Sequence, residues 1–438
     1  MYQGASKMSI CNKAGRYADG KGVNCGRVVL HSDLNNFFAS VECAQNPELR
    51  PFAVAVCGDT SKRHGIILAK NEKAKLYGIK TGEPLFEAFK KCPNLKTVQA
   101  HYDLYMRYSR AARRIYLRYT DKVEPFGMDE AWLELTGCHG VKTIDDGKRI
   151  ADEIRRTMKE ELGVSVSIGV SDNKVFAKLA SDYKKPDATT VMSPREYDGL
   201  ICSLPIGEIL YVGASTEARL KRFGLTTIGQ VANANPYTLR SILGKNGLTL
   251  HDFCTGFDTS PVARFGEVPT VKSVSNSTTP PRDISSNEDA KLVLASLCDN
   301  VCARLRGEGL KCTTVQVFFR TTDLNSFERQ IKTDFPTSCQ KDLLSLSYGL
   351  FCKSIDVGQT PLRSVGVCAT GLVSDMAGGQ LSLFEEDNRE TKNDIIDKTV
   401  DIIRKRYGMK SISTGTILCD SESLGYLAHG YEVFTHLR

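Results

Sequence analysis

The chain has 438 residues and a mass of 48.3 kDa, more than a single hydrophobic core usually organises, so several domains are expected. Hydrophobic residues make up 41% and charged residues 25%, with a net charge of +7, which excludes a disordered, collagen-like or low-complexity chain. No apolar run reaches the roughly 18 residues of a membrane helix, the opening stretch lacks the core of a signal peptide, and 15 scattered cysteines contain no CxxC pair, so a cytoplasmic protein with reduced thiols and no membrane contact is expected.

Residues 1–26 are polar and aperiodic and are read as a disordered extension. From Arg27, the apolar run Val28, Val29, Leu30 leads to Asp33, predicting a buried strand with a carboxylate at its tip. Between Ser61 and Thr120, 14 lysines and arginines face four acids, Glu72, Glu83, Glu87 and Asp103, a local +10 that leaves the rest of the chain slightly acidic. Charge alone leaves both a solvated face and a phosphate-bearing partner open. Leu104, Tyr108, Ala111 and Ile115 recur with helical spacing, as do Ile150, Ile154, Met158 and Leu162. Between these helices Ala131, Leu133 and Leu135 alternate with polar or bulky neighbours, and after them Val164, Val166, Ile168 and Val170 alternate again, so strands and helices interleave around one sheet.

The texture changes near Ile206, where short helical pieces surround Val212-Gly213 and Arg222 to Gly229. Pro261, Gly266, Pro269, Pro280 and Pro281 break regular structure and predict a linker. Ser286 with Asp289 predicts a capping box for a helix carrying Leu294, Leu297, Val301 and Leu305. Alternation at Val315, Val317, Phe319 and at Val365, Val367, Ala369 predicts a small sheet with helices on it. After Gly378 comes a tail with one more helix, on which Ile396, Val400, Ile403 and Tyr407 share a face.

Two acidic clusters can carry chemistry: Asp33 in HSDLNNFF, and Asp129-Glu130 in GMDEAWLEL. Adjacent acids at the edge of an apolar strand repel one another, and a divalent cation relieves that repulsion. Magnesium suits such oxygen ligands, and two ions about 4 Å apart serve phosphoryl transfer by activating the attacking hydroxyl and neutralising the leaving group. Spacing alone also allows a solvated acidic dipeptide in a loop.

Taken in order, HSDLNNFFASVE, GMDEAWLELT and VSVSIGVSDNKVFAKLASDYKKP resemble the motifs of the Y-family DNA polymerases, most closely the bacterial DNA polymerase IV group, over about Arg27 to Phe384. The resemblance implies an α+β fold: a right-hand core of palm (27–37 and 103–200), fingers (38–102) and thumb (201–262), a linker (263–270), a little finger (271–374) and a tail (375–438). It implies a low-fidelity, template-directed DNA polymerase that works past damaged bases without proofreading, as a monomer, on primer-template DNA and deoxynucleoside triphosphates. Asp33, Asp129 and Glu130 would be the catalytic carboxylates, holding two magnesium ions with the backbone carbonyl of Leu34. Phe38 falls on the steric-gate position, where a rigid ring collides with a 2′-hydroxyl.

Lys185 and Lys75 match positions that grip the incoming triphosphate, but the best-known pattern has a tyrosine and an arginine where this chain has Glu72 and Lys75. A lysine lacks the bidentate fork of arginine, and Glu72 receives no role. Asn35 replaces a common acid that is not a principal metal ligand in the family. VGASTEARLKRFGL resembles a helix-hairpin-helix whose tight turn at Gly213 presents backbone amides to a DNA phosphate. Arg320, Arg329 and Lys332 would give the little finger a basic DNA-binding face. Gln380, Leu381, Ser382, Leu383 and Phe384 resemble the bacterial sliding-clamp peptide, with Leu383 and Phe384 as apolar anchors. Two rivals stay open: the catalytic subunit of a polymerase V-like complex, and a non-catalytic scaffold that binds DNA and clamp.

Overall fold

The computed structural model describes residues 26–58, 65–193, 197, 199–267, 270–375, 392–408, 411–413, 415 and 424. They fall into two units, the first built from the chain up to Gly58 and from Ile66 to Glu267, the second from Gly65 and the described residues after Glu267. No described helix is long and apolar enough to cross a membrane, and the described cysteines are free thiols.

The first unit runs β1 (Val29–Leu34), α1 (Phe37–Gln45), β2 (Val54–Cys57), β3 (Ile67–Lys70), α2 (Glu72–Leu76), α3 (Leu85–Lys91), β4 (Lys96–Gln99) and α4 (Tyr102–Tyr116). It continues through β5 (Val123–Phe126), β6 (Glu130–Glu134), α5 (Ile144–Leu162), β7 (Val166–Ser171), α6 (Lys174–Tyr183) and β8 (Thr189–Val191). Five of these strands form one sheet in the order β5-β6-β1-β7-β8, with β1 central and antiparallel to both neighbours. All residues of β1 and β7 are buried because both sheet faces are covered. On one face Leu30, Leu133, Ile168 and Val170 pack with Val41 of α1, Tyr105 and Ile115 of α4, and Ile154 and Met158 of α5. On the other, Val29 and Trp132 meet Ala177 of α6.

Local chemistry fixes the ends of these helices. Thr143 and Asp146 form a reciprocal capping box on α5, and Asn173 caps α6 by accepting the Phe176 amide at 2.8 Å. A separate three-stranded sheet, β3-β2-β4, has its own small core of Ala55, Ile67, Ala74, Ile79, Ala88, Cys92 and Leu95. Ala39 and Val41 of α1 pack in the large core instead, so residues 38–45 go with the five-stranded sheet. Helices α7 (Ala214–Lys221), α8 (Ile228–Asn233), α9 (Pro236–Leu243) and α10 (Lys245–Cys254) then cluster around Leu220, Ile228, Val231 and Leu239.

The second unit contains β9 (Ser273–Thr278), α11 (Asn287–Gly307), β10 (Leu310–Thr321), β11 (Ser326–Thr337), α12 (Gln340–Ser354), β12 (Leu362–Ser374) and α13 (Lys392–Tyr407). Its sheet runs β11-β10-β12-β9, with Val315, Val317, Val365 and Val367 packed in one core with Leu294 and Leu297 of α11 and Phe351 of α12. Part of the predicted linker stretch is therefore a strand. In SVSNST only Val274 and Thr278 are buried, so no apolar alternation marks it. Ser286 does cap α11 through the Asp289 amide at 3.1 Å, but the reciprocal half of the box is missing because Arg282 takes the Asp289 carboxylate at 2.8 Å. Helix α13 is held by ions more than by its apolar stripe: Arg306 meets Asp401 at 2.9 Å and Asp397 at 3.2 Å, and Arg404 meets Asp299 at 3.0 Å. Ile396 and Tyr407, expected on the packed face, are exposed.

Candidate active site

Asp33 lies near the end of β1 and Glu130 opens β6, and the antiparallel register sets them directly opposite one another. Side chains alternate along a strand, so His31 and Asp33 share with Glu130 and Trp132 the face toward α6, while Leu30 and Leu133 enter the apolar core. Asp129 stands in the preceding turn, which begins at Gly127 with φ 78°. Buried Arg113 donates to the Gly127 carbonyl at 3.0 Å, and the Leu34 amide donates to the Asp129 carbonyl at 3.0 Å, so strand β1 and the turn are tied together. Burial first, then the charges of Asp33 and Glu130, push the Asp129 carboxyl up to about 6.

Helix α6 brings cations to these acids. The Lys178 ammonium lies 2.9 Å from Glu130, 3.3 Å from Asp33 and 3.3 Å from Asp182. That of Lys185 lies 2.7 Å from Asp33 and 2.6 Å from Asp182. Burial works to lower both lysine pKa values, but the surrounding carboxylates outweigh it and hold both above the ordinary value. His31 is fully buried, with Nδ1 at 2.9 Å from the Ser181 hydroxyl and Nε2 at 3.3 Å from Glu130. Desolvation, helped by Lys178, drives its pKa down to about 3, so the ring is neutral.

The donors gathered here are oxygens, and the crowding of negative charge on Asp129 is the kind a hard divalent cation relieves, so the residues fit magnesium. Among the described residues no three acid, imidazole or thiol side chains close around one point, the carboxylates of Asp33 and Glu130 being engaged by Lys178 and Lys185. Asn35 is 4% exposed and makes hydrogen bonds with Ser165 at 3.1 Å and Ser167 at 2.8 Å, so its amide is tied to β7 and its flanking loop rather than to the acids.

Phe38 stacks on Tyr105 with centroids 4.2 Å apart and an interplanar angle of 12°. The Tyr105 hydroxyl donates to buried Glu42 at 2.5 Å, which fixes the ring behind Phe38, whereas Phe37 is core. Lys75 makes its ion pair with Glu72 at 2.8 Å, not with the acid cluster.

Two expectations on the DNA-binding side need correction. Gly213 is not at a tight turn: it is the extended N-cap of α7, with φ −85°, and the positive φ angles of this segment fall at Tyr211 (68°) and Gly224 (73°). An N-cap takes an extended backbone because its carbonyl already serves the first helical turn. Arg320, Arg329 and Lys332 also do not share one face. The register pairs Arg320 with Ser326, Thr314 with Lys332 and Val317 with Arg329. Pleat parity therefore sets Arg320 and Lys332 on the open face and Arg329 on the side of core residue Val317. Gln380, Leu381, Ser382, Leu383 and Phe384 lie outside the described residues.

Lys178, Asp182 and His31 were not singled out from the sequence. A signal was present for the first two, since Lys178, Asp182 and Lys185 recur at i, i+4 and i+7 in VFAKLASDYKKP, the spacing of one helical face.

Comparison with known proteins identifies relatives along most of the chain. The impB/mucB/samB family matches residues 32–182, its C-terminal domain matches residues 271–383, and a thumb domain described for DNA polymerase-iota matches residues 211–258. The chain is 47% identical to DNA polymerase IV of Acetivibrio thermocellus over 395 residues, 90% of this chain and 98% of that protein. It is 33% identical to DNA polymerase IV of Clostridium acetobutylicum, again over 90% and 98%, and 34% identical to DNA polymerase IV 1 of Bacillus subtilis, over 91% and 94%. Among solved structures, a Y-family DNA polymerase chimera shares the fold with a TM-score of 0.69 at 22% identity, over 79% of this chain and 99% of that one.

Proposed function

The chain belongs to the impB/mucB/samB family of Y-family DNA polymerases, and from that membership we propose that it is a template-directed DNA polymerase of the polymerase IV kind, low in fidelity and able to extend primers past damaged template bases. The observation that carries this reading is the opposition of Asp33 and Glu130 across β1 and β6 with Asp129 in the adjoining turn. In it Asp33, Asp129 and Glu130, with the Leu34 carbonyl, would hold two magnesium ions, which supply charge neutralisation at the phosphates and a more acidic primer 3′-hydroxyl.

The chain's own residues do the remaining work. Lys185, paired with Asp33, is the cation nearest the acids on the α6 side that can turn to a triphosphate, and Lys75 is a second point charge on the basic segment. The Phe38 ring, backed by Tyr105, rejects a 2′-hydroxyl by collision, since a stacked ring cannot yield without leaving its partner. Lys178 balances the charge of Glu130 and Asp33 and holds their carboxylates near the strand ends. Gly213 at the start of α7, together with Arg320 and Lys332 on the open sheet face, would meet the DNA backbone without reading sequence. Gln380 to Phe384 would engage the sliding clamp of a monomeric, cytoplasmic enzyme.

Primer extension on undamaged and abasic templates with magnesium tests the proposal, comparing wild type with the double variant Asp129→Ala, Glu130→Ala. Extension by the wild type alone is expected. Synthesis by the variant would move the catalytic site elsewhere, and a wild type that binds primer-template DNA but adds nothing would overturn the enzymatic reading.

A further inference from the structure

Glu72 is the acid that the sequence leaves without a role inside a basic segment. It opens α2, and its Oε1 accepts two hydrogen bonds, from the Lys75 ammonium at 2.8 Å and from the Asn36 side-chain amide at 2.7 Å. The first bond is a local pair of exposed side chains, which by itself contributes little. The second crosses from the small three-stranded subdomain to the loop between Asp33 and Phe38, and it is the informative one.

Asn36 is the N-cap of α1, and an asparagine there ordinarily bonds to its own helix. Here it makes no side-chain cap. Its backbone is left-handed, φ 52° and ψ 40°, and its amide reaches Glu72 instead. Phe38 is the second residue of that helix. Glu72 is equally constrained from behind, because Asn71 accepts the amides of Val54 at 3.0 Å and Ala74 at 2.9 Å and donates to the Phe52 carbonyl at 2.9 Å. Partial burial opposes the charge on Glu72, but the hydrogen bonds from Lys75 and Asn36 outweigh it and hold the carboxyl below its usual range, so it is ionised at neutral pH.

We propose that Glu72 is a positioning residue: through Asn36 it fastens α2 to the short loop that joins the strand of Asp33 to the helix of Phe38, and thereby sets both the grip on the incoming nucleotide and the rejection of ribonucleotides. The inference rests on the polymerase reading and on Phe38 as the sugar gate. An aromatic residue in place of Glu72 would offer no carboxylate to join these two donors, so this fastening is tied to the chain's departure from the best-known pattern.

The test is single-nucleotide insertion with deoxy- and ribonucleotides by wild type, Glu72→Ala, Glu72→Gln, Asn36→Gly and the double variant Glu72→Ala, Asn36→Gly, each checked by thermal melting. Glycine keeps the left-handed backbone while removing the amide. Glu72→Ala should raise KM for the deoxynucleotide roughly three- to tenfold, the range of one lost hydrogen bond of ordinary net strength between exposed groups, with kcat nearly unchanged and the deoxy-to-ribo preference narrowed. Asn36→Gly should do the same, the double variant should be no worse than either single one, and Glu72→Gln should restore much of the loss because its oxygen still accepts from Asn36. Additive losses in the double variant, a silent Asn36→Gly, or Glu72→Gln as impaired as Glu72→Ala would overturn the proposal and leave Glu72 a local charge. The premises fail separately: a wild type that inserts nothing removes the polymerase reading, and a Phe38→Ala variant with unchanged sugar preference removes the gate, whatever Glu72 does.

Discussion

The Asp129 carboxyl is pushed up to about 6 by its burial and by two neighbouring acids, so in the folded, metal-free chain its ionisation is unfavourable. An unfolded aspartate titrates near 3.9, which means the folded state holds this proton more tightly. The stability it contributes is therefore complete below about pH 4 and is lost as the pH rises through about 6. Asp129→Asn removes that loss. With a chelator present, it should melt higher than wild type at about pH 7.5, by something on the order of 2 kcal/mol, and the gain should fade toward pH 4. Scanning calorimetry across that range decides it, and a gain independent of pH would show that the carboxyl is not under this strain. The same variant should lose nucleotide insertion, since an acid retained at a cost to stability marks a functional position. At this scale Asp33, Asp129 and Glu130 were legible in the sequence because each sits at the edge of an apolar alternation. His31 was not, and Lys178 showed only its helical spacing with Asp182, because their roles depend on which strand α6 covers.

Helix α6 can reach the acids only because β7 carries a glycine beneath it. A Cβ at Gly169 would overlap the Ala177 carbonyl and the Ser181 amide and lie 2.8 Å from the Ala180 Cβ. Backbone cannot yield as a side-chain tip can, so Gly169→Ala should push α6 outward and cost about 3 kcal/mol of stability, read as a lower denaturant midpoint. An unchanged midpoint would show that the helix has room to shift. Strands β6 and β7 and helices α4 and α5 of the first unit were visible as periods of two and 3.6 residues, and the close approach at Gly169 was not, since a single glycine in an alternating run carries no such signal. Strand β9 escaped for a related reason: at a sheet edge with serine on its exposed positions, SVSNST has no apolar rhythm. The stripe on α13 misled because Arg306 and Arg404 dock that helix through Asp397, Asp401 and Asp299, and ion pairs follow charge geometry rather than hydrophobic period.

For the molecule as a whole, the clamp reading makes a separable prediction. Deleting Gln380 to Phe384 should abolish stimulation of synthesis by a sliding clamp while basal extension persists, because the acids and the Phe38 ring belong to the first unit and the peptide follows the last strand of the second. Stimulation that survives the deletion would assign clamp contact to another surface. The order of motifs along the chain, the acids at strand ends, the aromatic pair Phe37-Phe38 and the basic segment are properties of neighbouring residues, and so the amino-acid sequence by itself determined them. Tertiary structure decided the rest, because it depends on partners distant in the chain. Strand register put Asp33 opposite Glu130 and turned Arg329 away from Arg320 and Lys332. Packing of α6 delivered Lys178 to Asp33, and the segment just beyond that helix delivered Lys185. A single hydrogen bond across 36 residues gave Glu72 its contact with the loop at Asn36, which no local pattern encodes.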